Sequence, residues 1–166
     1  MRDIKYLVSW DLSINHIVHQ SSMASINLLA SYISYLGNGW TLLFLTLGLM
    51  LIGIWIKDRH LALTGRLALI TWAAAGLTSL TLKHLIGRPR PRLALHGELS
   101  LLGPSWVSGF DSMPSGHTIS SFAVATVLAS FYPRLSWLFY TLAFLVGLSR
   151  IFCGSHFLSD VVAGAI

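Results

Sequence analysis

Charge is scarce in this sequence: 10% of its 166 residues are Asp, Glu, Lys or Arg, against about 25% in a soluble domain. Acidic residues are the scarcest, 6 against 11 Lys and Arg, and they form no carboxylate cluster of the kind that holds magnesium. The one cysteine, Cys153, excludes an intramolecular disulfide and lacks the partners of a structural zinc site. It reads as a small apolar filler. No basic run with interleaved aromatics lies on a polar segment, so the surplus of positive charge is not read as a nucleic-acid surface. Anionic lipid headgroups, or a phosphate-bearing substrate, are the remaining uses for it. Met1 to Ser22 has no continuous apolar core followed by a small-residue cleavage site, so no cleavable signal peptide is expected. There is no internal repeat and no low-complexity segment.

Hydrophobic residues, by contrast, make up 54% of the chain, and its mean hydropathy is +0.69. They fall in long blocks with short polar punctuation, which predicts an all-α, polytopic membrane helical bundle in one domain, residues 1–166. Trp40 to Ile56 is the clearest span, stopped by Lys57, Asp58 and Arg59. Further spans are expected over Leu67 to Leu82, Thr118 to Tyr132 and Leu135 to Leu148, with Pro133 forcing an antiparallel hairpin between the last two. Ser13 to Leu36 is diluted by His16, His19, Gln20, Ser21 and Ser22, and reads as an interfacial amphipathic helix or a weak additional span, with an interfacial start that enters the membrane near Ile26 favoured. Phe157 to Ile166 begins an apolar helix of about half a span's length, so the chain reads as a fragment or as ending in an incomplete helix. The long polar segment, Lys83 to His117, is the natural place for chemistry.

Three clusters lie where alternating spans would bring them to one membrane face. Lys83 is followed after six residues by Arg90 and Pro91; then comes Pro114-Ser115-Gly116-His117; then Ser149-Arg150, His156 and Asp160. Lys83, Arg90 and Arg150 are permanent cations, and two of them carry guanidinium forks that match phosphate oxygens bidentately. Ser115 and Gly116 precede a span, so their backbone N–H groups and the Ser115 hydroxyl are expected to point outward at a helix N-terminus that favours anions. The spacing of His156 and Asp160 places them on one helical face, where a carboxylate fixes the imidazole tautomer and stabilises the charge that builds as the other ring nitrogen attacks phosphorus. His117, across the phosphate, would protonate the leaving oxygen. Without a carboxylate cluster, the cations must balance the transition-state charge themselves; no metal and no cofactor are expected.

Taken singly, each cluster has a plainer reading: a Lys/Arg group beside a span is usually a topology determinant, and a Pro-Ser-Gly start is commonly a cap. His16, His19, His60, His84 and His96 are left as ordinary polar residues. The conjunction of all three at helix ends is what favours chemistry. In that order the clusters resemble the tripartite signature of the type 2 phosphatidic acid phosphatase superfamily, which includes lipid phosphatases, bacterial undecaprenyl-diphosphate phosphatases and vanadium haloperoxidases. The match runs from Lys83 to Asp160 and fills every signature position. The resemblance implies that Lys83, Arg90, Ser115, Gly116 and Arg150 bind phosphate, that His117 is the acid and His156 the nucleophile, and that Asp160 orients it. Membrane members are usually six-helix bundles, and here the first span is weak and the last one short.

The expected activity is hydrolysis of a phospholipid or polyprenyl phosphate ester or diphosphate through a phosphohistidine. A haloperoxidase holding vanadate in the same pocket is the enzymatic rival, disfavoured by the hydropathy because those members are soluble. A non-catalytic membrane fragment that keeps the anion site is the third reading. Lys57, Arg59, Arg66 and Arg134 lie on the face opposite the clusters, and the positive-inside bias makes that face cytoplasmic and the site periplasmic or exterior in a bacterial inner membrane. Headgroup selection is expected from Leu93 to Ser112.

Overall fold

The computed structural model describes residues 2–21, 23–97 and 100–166, with side chains from residue 9 onward except those of His19 and Ser21. All the described regular structure is helical. The helices are α1 (Arg2–Ser21), α2 (Ala24–Leu36), α3 (Gly39–Trp55), α4 (Arg59–Ile86), the short α5 (Pro91–Leu95), α6 (Gly116–Phe131), α7 (Ser136–Phe152) and α8 (Leu158–Ala165).

Helix ends follow local chemistry. The Asn38 side chain accepts the Trp40 N–H at 2.9 Å and starts α3. Asp58 accepts from the N–H groups of His60 and Leu61, at 2.9 and 3.1 Å, and starts α4, satisfying donors that an uncapped helix would leave orphaned. That cap lets α4 begin at Arg59 rather than at Leu67, where the apolar run alone puts the span, and gives it 28 residues. Its C-terminus is closed by Gly87, which takes the left-handed φ of 58° and donates to the Lys83 carbonyl. A 3-10 turn over Pro133–Leu135 separates α6 from α7, giving the expected antiparallel hairpin.

The core of the bundle is α4 and α6, with α3 packed on α4 and α7 on α6; α2 lies against α7, and α8 against α6. Small residues permit the close approach of α3 and α4: a Cβ at Gly65 would collide with the Met50 backbone, and one at Gly53 with that of Ala62. The outside is apolar. Phe44, Leu51, Ile70, Leu77 and Phe144 are all exposed, which suits lipid rather than water. Trp40 and Trp55 stand exposed near the two ends of α3, as interfacial aromatics do. By length and composition, Arg59–Leu95 and Pro133–Phe152 can each cross a membrane, and α2 with α3 would form a third span bent by 43°.

The N-terminal segment departs from expectation. It is two helices, not one interfacial helix that bends inward, and α1 docks on the bundle through buried Asp11 and Asn15. Its neighbours are α5, α7 and α8. At the other end of the bundle, the His60 ring meets Phe131 and Tyr132 edge-on, each at 5.2 Å between centroids. This sets the α3–α4 turn, with Lys57 and Arg59, beside the α6–α7 turn that carries Arg134.

Candidate active site

The ends of α4, α6, α7 and α8 converge at the end of the bundle away from Arg134. Lys83 sits in the last turn of α4. A Cβ placed on Gly116, the first residue of α6, would lie 3.7 Å from the Lys83 Nζ and 3.4 Å from the Ser79 hydroxyl, so glycine here lets the lysine reach the start of α6. Arg90 precedes α5, whose first position is Pro91, and its guanidinium grips Asp111 with two bonds, Nε to Oδ1 at 2.9 Å and Nη2 to Oδ2 at 2.7 Å. That hydrogen-bonded pairing holds the Asp111 carboxyl below the usual carboxylate range, against the opposing effect of burial. Three backbone bonds lay the loop over the end of α4: Leu102 N–H to Gly87, Ser105 N–H to His84 and Ser112 N–H to Arg88. His84 stacks on Trp106 with 3.7 Å between centroids, a packing role consistent with reading it as an ordinary polar residue. The side chain of His19 lies outside the described residues.

The start of α6 differs from expectation in one respect. Ser115 is fully buried and its N–H is not aimed outward; it donates to the Asp160 carbonyl at 3.0 Å. Its hydroxyl oxygen accepts from Thr118 Oγ1 at 3.0 Å, which leaves the Ser115 hydroxyl proton itself free to donate. The physical reason is the packing of α8 across this turn, so tight that a Cβ on Gly164 would come within 2.9 Å of the Ser115 carbonyl oxygen. The donors left at this N-terminus are those of Gly116, His117 and Thr118, which have no intrahelical acceptor.

Arg150 ends α7 and donates to the Ser34 hydroxyl of α2, while its Nε is buried without a partner. Its carbonyl accepts from the N–H groups of Ser155 and His156, at 3.1 and 3.3 Å. Arg150 and the turn that carries His156 are thus one unit. Arg150 and His117 open onto a cavity of about 220 Å³ whose other walls are Ser31, Ser34, Tyr35 and Asn38 of α2 and its C-terminal turn, with Cys153. The sequence pattern gave α2 no site residue, although its hydroxyl and amide residues repeat every three to four positions along one helical face.

His156 lies just before α8 rather than on it, and the pair forms all the same: Nδ1 is 3.6 Å from Asp160 Oδ2. This is longer than a hydrogen bond, and Nδ1 is buried without a partner. Burial pushes the imidazole below its ordinary value, and the Asp160 carboxylate acts in the opposite direction. Asp160 is fully buried and accepts from the Ser112 hydroxyl at 2.6 Å, the Phe157 N–H at 2.9 Å and the Arg88 guanidinium. Arg88, to which the sequence pattern assigns no role, is buried and also grips Asp11.

Charge joins the set: burial first, and then the charges of Arg150, His156, Lys83 and Arg90, push the His117 imidazole down to about 4, and a phosphate anion bound among those cations acts in the opposite direction. All eight residues expected from the sequence are thus at one end of the bundle. Three cations and the N-terminus of α6 gather here, a set suited to holding a tetrahedral oxyanion; Arg150 and His117 line the open cavity, and the His156 imidazole is buried at the same end of the bundle.

The same architecture occurs in solved structures. A transmembrane PAP2-type phosphatidylglycerolphosphate phosphatase from Bacillus subtilis aligns with a TM-score of 0.74 and 27% identity, over 96% of this chain and 79% of that one. LpxE of Aquifex aeolicus aligns at 0.73 and 24%, over 93% and 87%, a likeness of fold alone. In sequence, a lipid A 1-phosphatase of Rhizobium johnstonii is 36% identical over 101 residues, 60% of this chain and 41% of that protein. The bacitracin transport permease protein BcrC of Bacillus licheniformis is 45% identical over 56 residues, 34% of this chain and 28% of that one. The chain spans about two-fifths of the length of the lipid A 1-phosphatase and less of BcrC. The PAP2 superfamily model matches residues 64–166, a stretch that holds every one of the eight site residues, and on that match the chain belongs to the PAP2 superfamily.

Proposed function

We propose that this protein is a metal-independent lipid phosphatase that removes phosphate from a membrane-borne phosphate ester or diphosphate through a phosphohistidine. The observation that carries this reading is the gathering of Lys83, Arg90, Arg150 and His117 with the buried His156–Asp160 pair at one end of the bundle, where Arg150 and His117 line an open cavity. In the first step the free ring nitrogen of His156 bonds to phosphorus as the P–O bond to the lipid breaks, and His117 gives its proton to the departing oxygen. In the second, His117 takes a proton from water, whose oxygen displaces His156 and releases inorganic phosphate. The cations stabilise the charge on the transferring group.

A lipid substrate is supported by the surface next to the cavity. An apolar groove of about 240 Å³ runs between α2, α3, α6 and α7, lined by Leu36, Leu42, Val124, Leu128 and Val146 among others. Leu36 adjoins Tyr35 of the site cavity, and Ser121 of the groove is one helical turn from His117. An acyl or prenyl chain seated there leaves its phosphate at the cations. The relatives named as phosphatases of phosphatidylglycerolphosphate and lipid A support the same class. Purified protein assayed side by side on phosphatidic acid, phosphatidylglycerophosphate and undecaprenyl diphosphate, in EDTA, is expected to release phosphate from at least one of them. Release that vanishes in chelator and returns with magnesium would refute charge balance by Lys83, Arg90 and Arg150 alone; no release from any of the three would refute the function.

The site is proposed to open on the exterior or periplasmic side of a bacterial inner membrane. With Lys83, Arg90 and Arg150 set aside as the proposed phosphate ligands, and Arg88 paired with Asp11 and Asp160, Lys57, Arg59 and Arg134 at the opposite end outnumber Arg92 at the site end, which favours the cytoplasm for that opposite end. In a Cys153→Ser background, His96→Cys is expected to react with an impermeant thiol reagent in spheroplasts and Asp58→Cys to stay unlabelled. The reverse pattern would put the chemistry in the cytoplasm.

A further inference from the structure

Behind the His156–Asp160 pair lies a buried, densely hydrogen-bonded cluster with two charged residues that the proposed reaction does not use. Arg88 is 5% exposed and Asp11 is 4% exposed. The guanidinium spans two carboxylates, Nη1 on Asp160 Oδ1 and Nη2 on Asp11 Oδ2, and its carbon lies 4.7 Å above the centre of the Phe157 ring. Ser159 completes the cluster. Its hydroxyl accepts from Arg88 at 2.6 Å and donates to Asp11, and its N–H donates to Asp11 Oδ1 at 3.1 Å. Asp11 thereby caps the N-terminus of α8 from another helix, where the dipole favours an anion.

We infer that Arg88 and Asp11 are positioning residues for the proposed nucleophile, acting through Asp160; the inference rests on the phosphohistidine mechanism. An ionised carboxylate offers about four acceptor sites, and on Asp160 three are taken, by Ser112, Phe157 and Arg88. The orientation of the carboxylate is therefore set from outside the pair: Ser112 and Phe157 hold Oδ2, the oxygen that lies 3.6 Å from His156 Nδ1, and Arg88 holds Oδ1. Arg88 fixes the oxygen that the other two donors do not touch. Asp11 fixes Arg88 from the far side, since a planar guanidinium held at both ends of its fork has no rotation left.

Charge points the same way. Arg88 with Asp11 and Asp160 carries a net charge of −1 in a dry site, so the positive charge that forms on the ring of His156 as it bonds to phosphorus meets an anionic neighbourhood without leaving Asp160 alone. An unpaired buried carboxylate would be costly. The N-terminal helix thus contributes to the proposed chemistry without reaching the substrate.

The test is a double-mutant cycle on the full chain in lipid vesicles, with phosphatidylglycerophosphate, phosphatidic acid and undecaprenyl diphosphate as substrates and thermal unfolding measured on each variant. Arg88→Met is expected to lower kcat on the order of 100-fold through misplacement of the reacting groups, with KM unchanged. In an Asp160→Asn background the same change is expected to lower kcat by less than about 3-fold, because the group it acts through is already altered. Equal losses in the two backgrounds, or a raised KM with kcat unchanged, would overturn the inference. Should Arg88→Met not fold, Asp11→Asn, which keeps an acceptor for Ser159, carries the test. It is expected to lower kcat about 10-fold at constant KM, and unchanged kcat in the folded variant would overturn the inference. Wild-type protein inert on all three lipids would instead bring down the phosphatase function, and this inference with it, a result distinguishable from active wild type with an additive cycle.

Discussion

His156→Ala protein is expected to release no phosphate above background from a lipid that the wild type hydrolyses, a loss on the order of 10⁴-fold or more. In both proposed steps phosphorus is transferred to or from the His156 imidazole, so no other side chain can stand in for it. His117, which lines the cavity, is the proposed acid, and the Lys83, Arg90 and Arg150 cations carry no lone pair with which to attack. The fold is expected to survive, since Nδ1 makes no hydrogen bond that alanine would break and Asp160 keeps its three donors. Two readouts separate these effects. Wild-type enzyme quenched during turnover of a radiolabelled lipid phosphate is expected to carry label that is lost in acid and kept in base, as a phosphorus–nitrogen bond behaves, and the alanine variant none. Turnover by a folded His156→Ala protein would dispose of the covalent mechanism outright.

Much of the site was legible in the sequence because its signals are local. Lys83 with Arg90, Ser115-Gly116-His117, and Arg150 with His156 and Asp160 are each spaced within one helix end or turn, and antiparallel spans place helix ends together without further information. Long-range pairing was not legible. Asp11 and Arg88 are 77 residues apart and Asp11 and Ser159 are 148 apart; each looks, in sequence, like a polar residue at the edge of an apolar stretch. The same blindness hid Asp111 as the partner of Arg90, 21 residues away. It also hid the use of the Ser115 N–H by the Asp160 carbonyl, because helix-start chemistry predicts outward donors and only the packing of α8 redirects one of them. The helix α2 was obscured for another reason: its serines and its neighbouring Asn38 lower the hydropathy that marks a span, and those same polar residues wall the cavity.

Asp160→Asn is expected to retain measurable activity but to lose about 10³- to 10⁴-fold in kcat, on the precedent of orienting carboxylates in catalytic triads. The change preserves shape and removes two things. The first is acceptor capacity. Three donors converge on the carboxylate, from Ser112, Phe157 and Arg88, and an amide offers them one oxygen, so at least one donor is turned onto an NH₂ group. The side chain must then rotate or lose a bond, and the acceptor facing His156 is no longer assured. The second is charge. The cluster goes from −1 to neutral, so the cationic ring of the phosphohistidine forms without a compensating anion, although Arg88 keeps its partner in Asp11. Because the loss falls on the transition state and on the ring, not on the cations that hold phosphate, KM is expected to stay near the wild-type value. Rapid-quench measurement of the phosphoenzyme is expected to place the slowdown in its formation. A variant that forms the phosphoenzyme at the wild-type rate and is slow only in its hydrolysis would mean that Asp160 serves the attacking water, and that the orientation of His156 is supplied by something else.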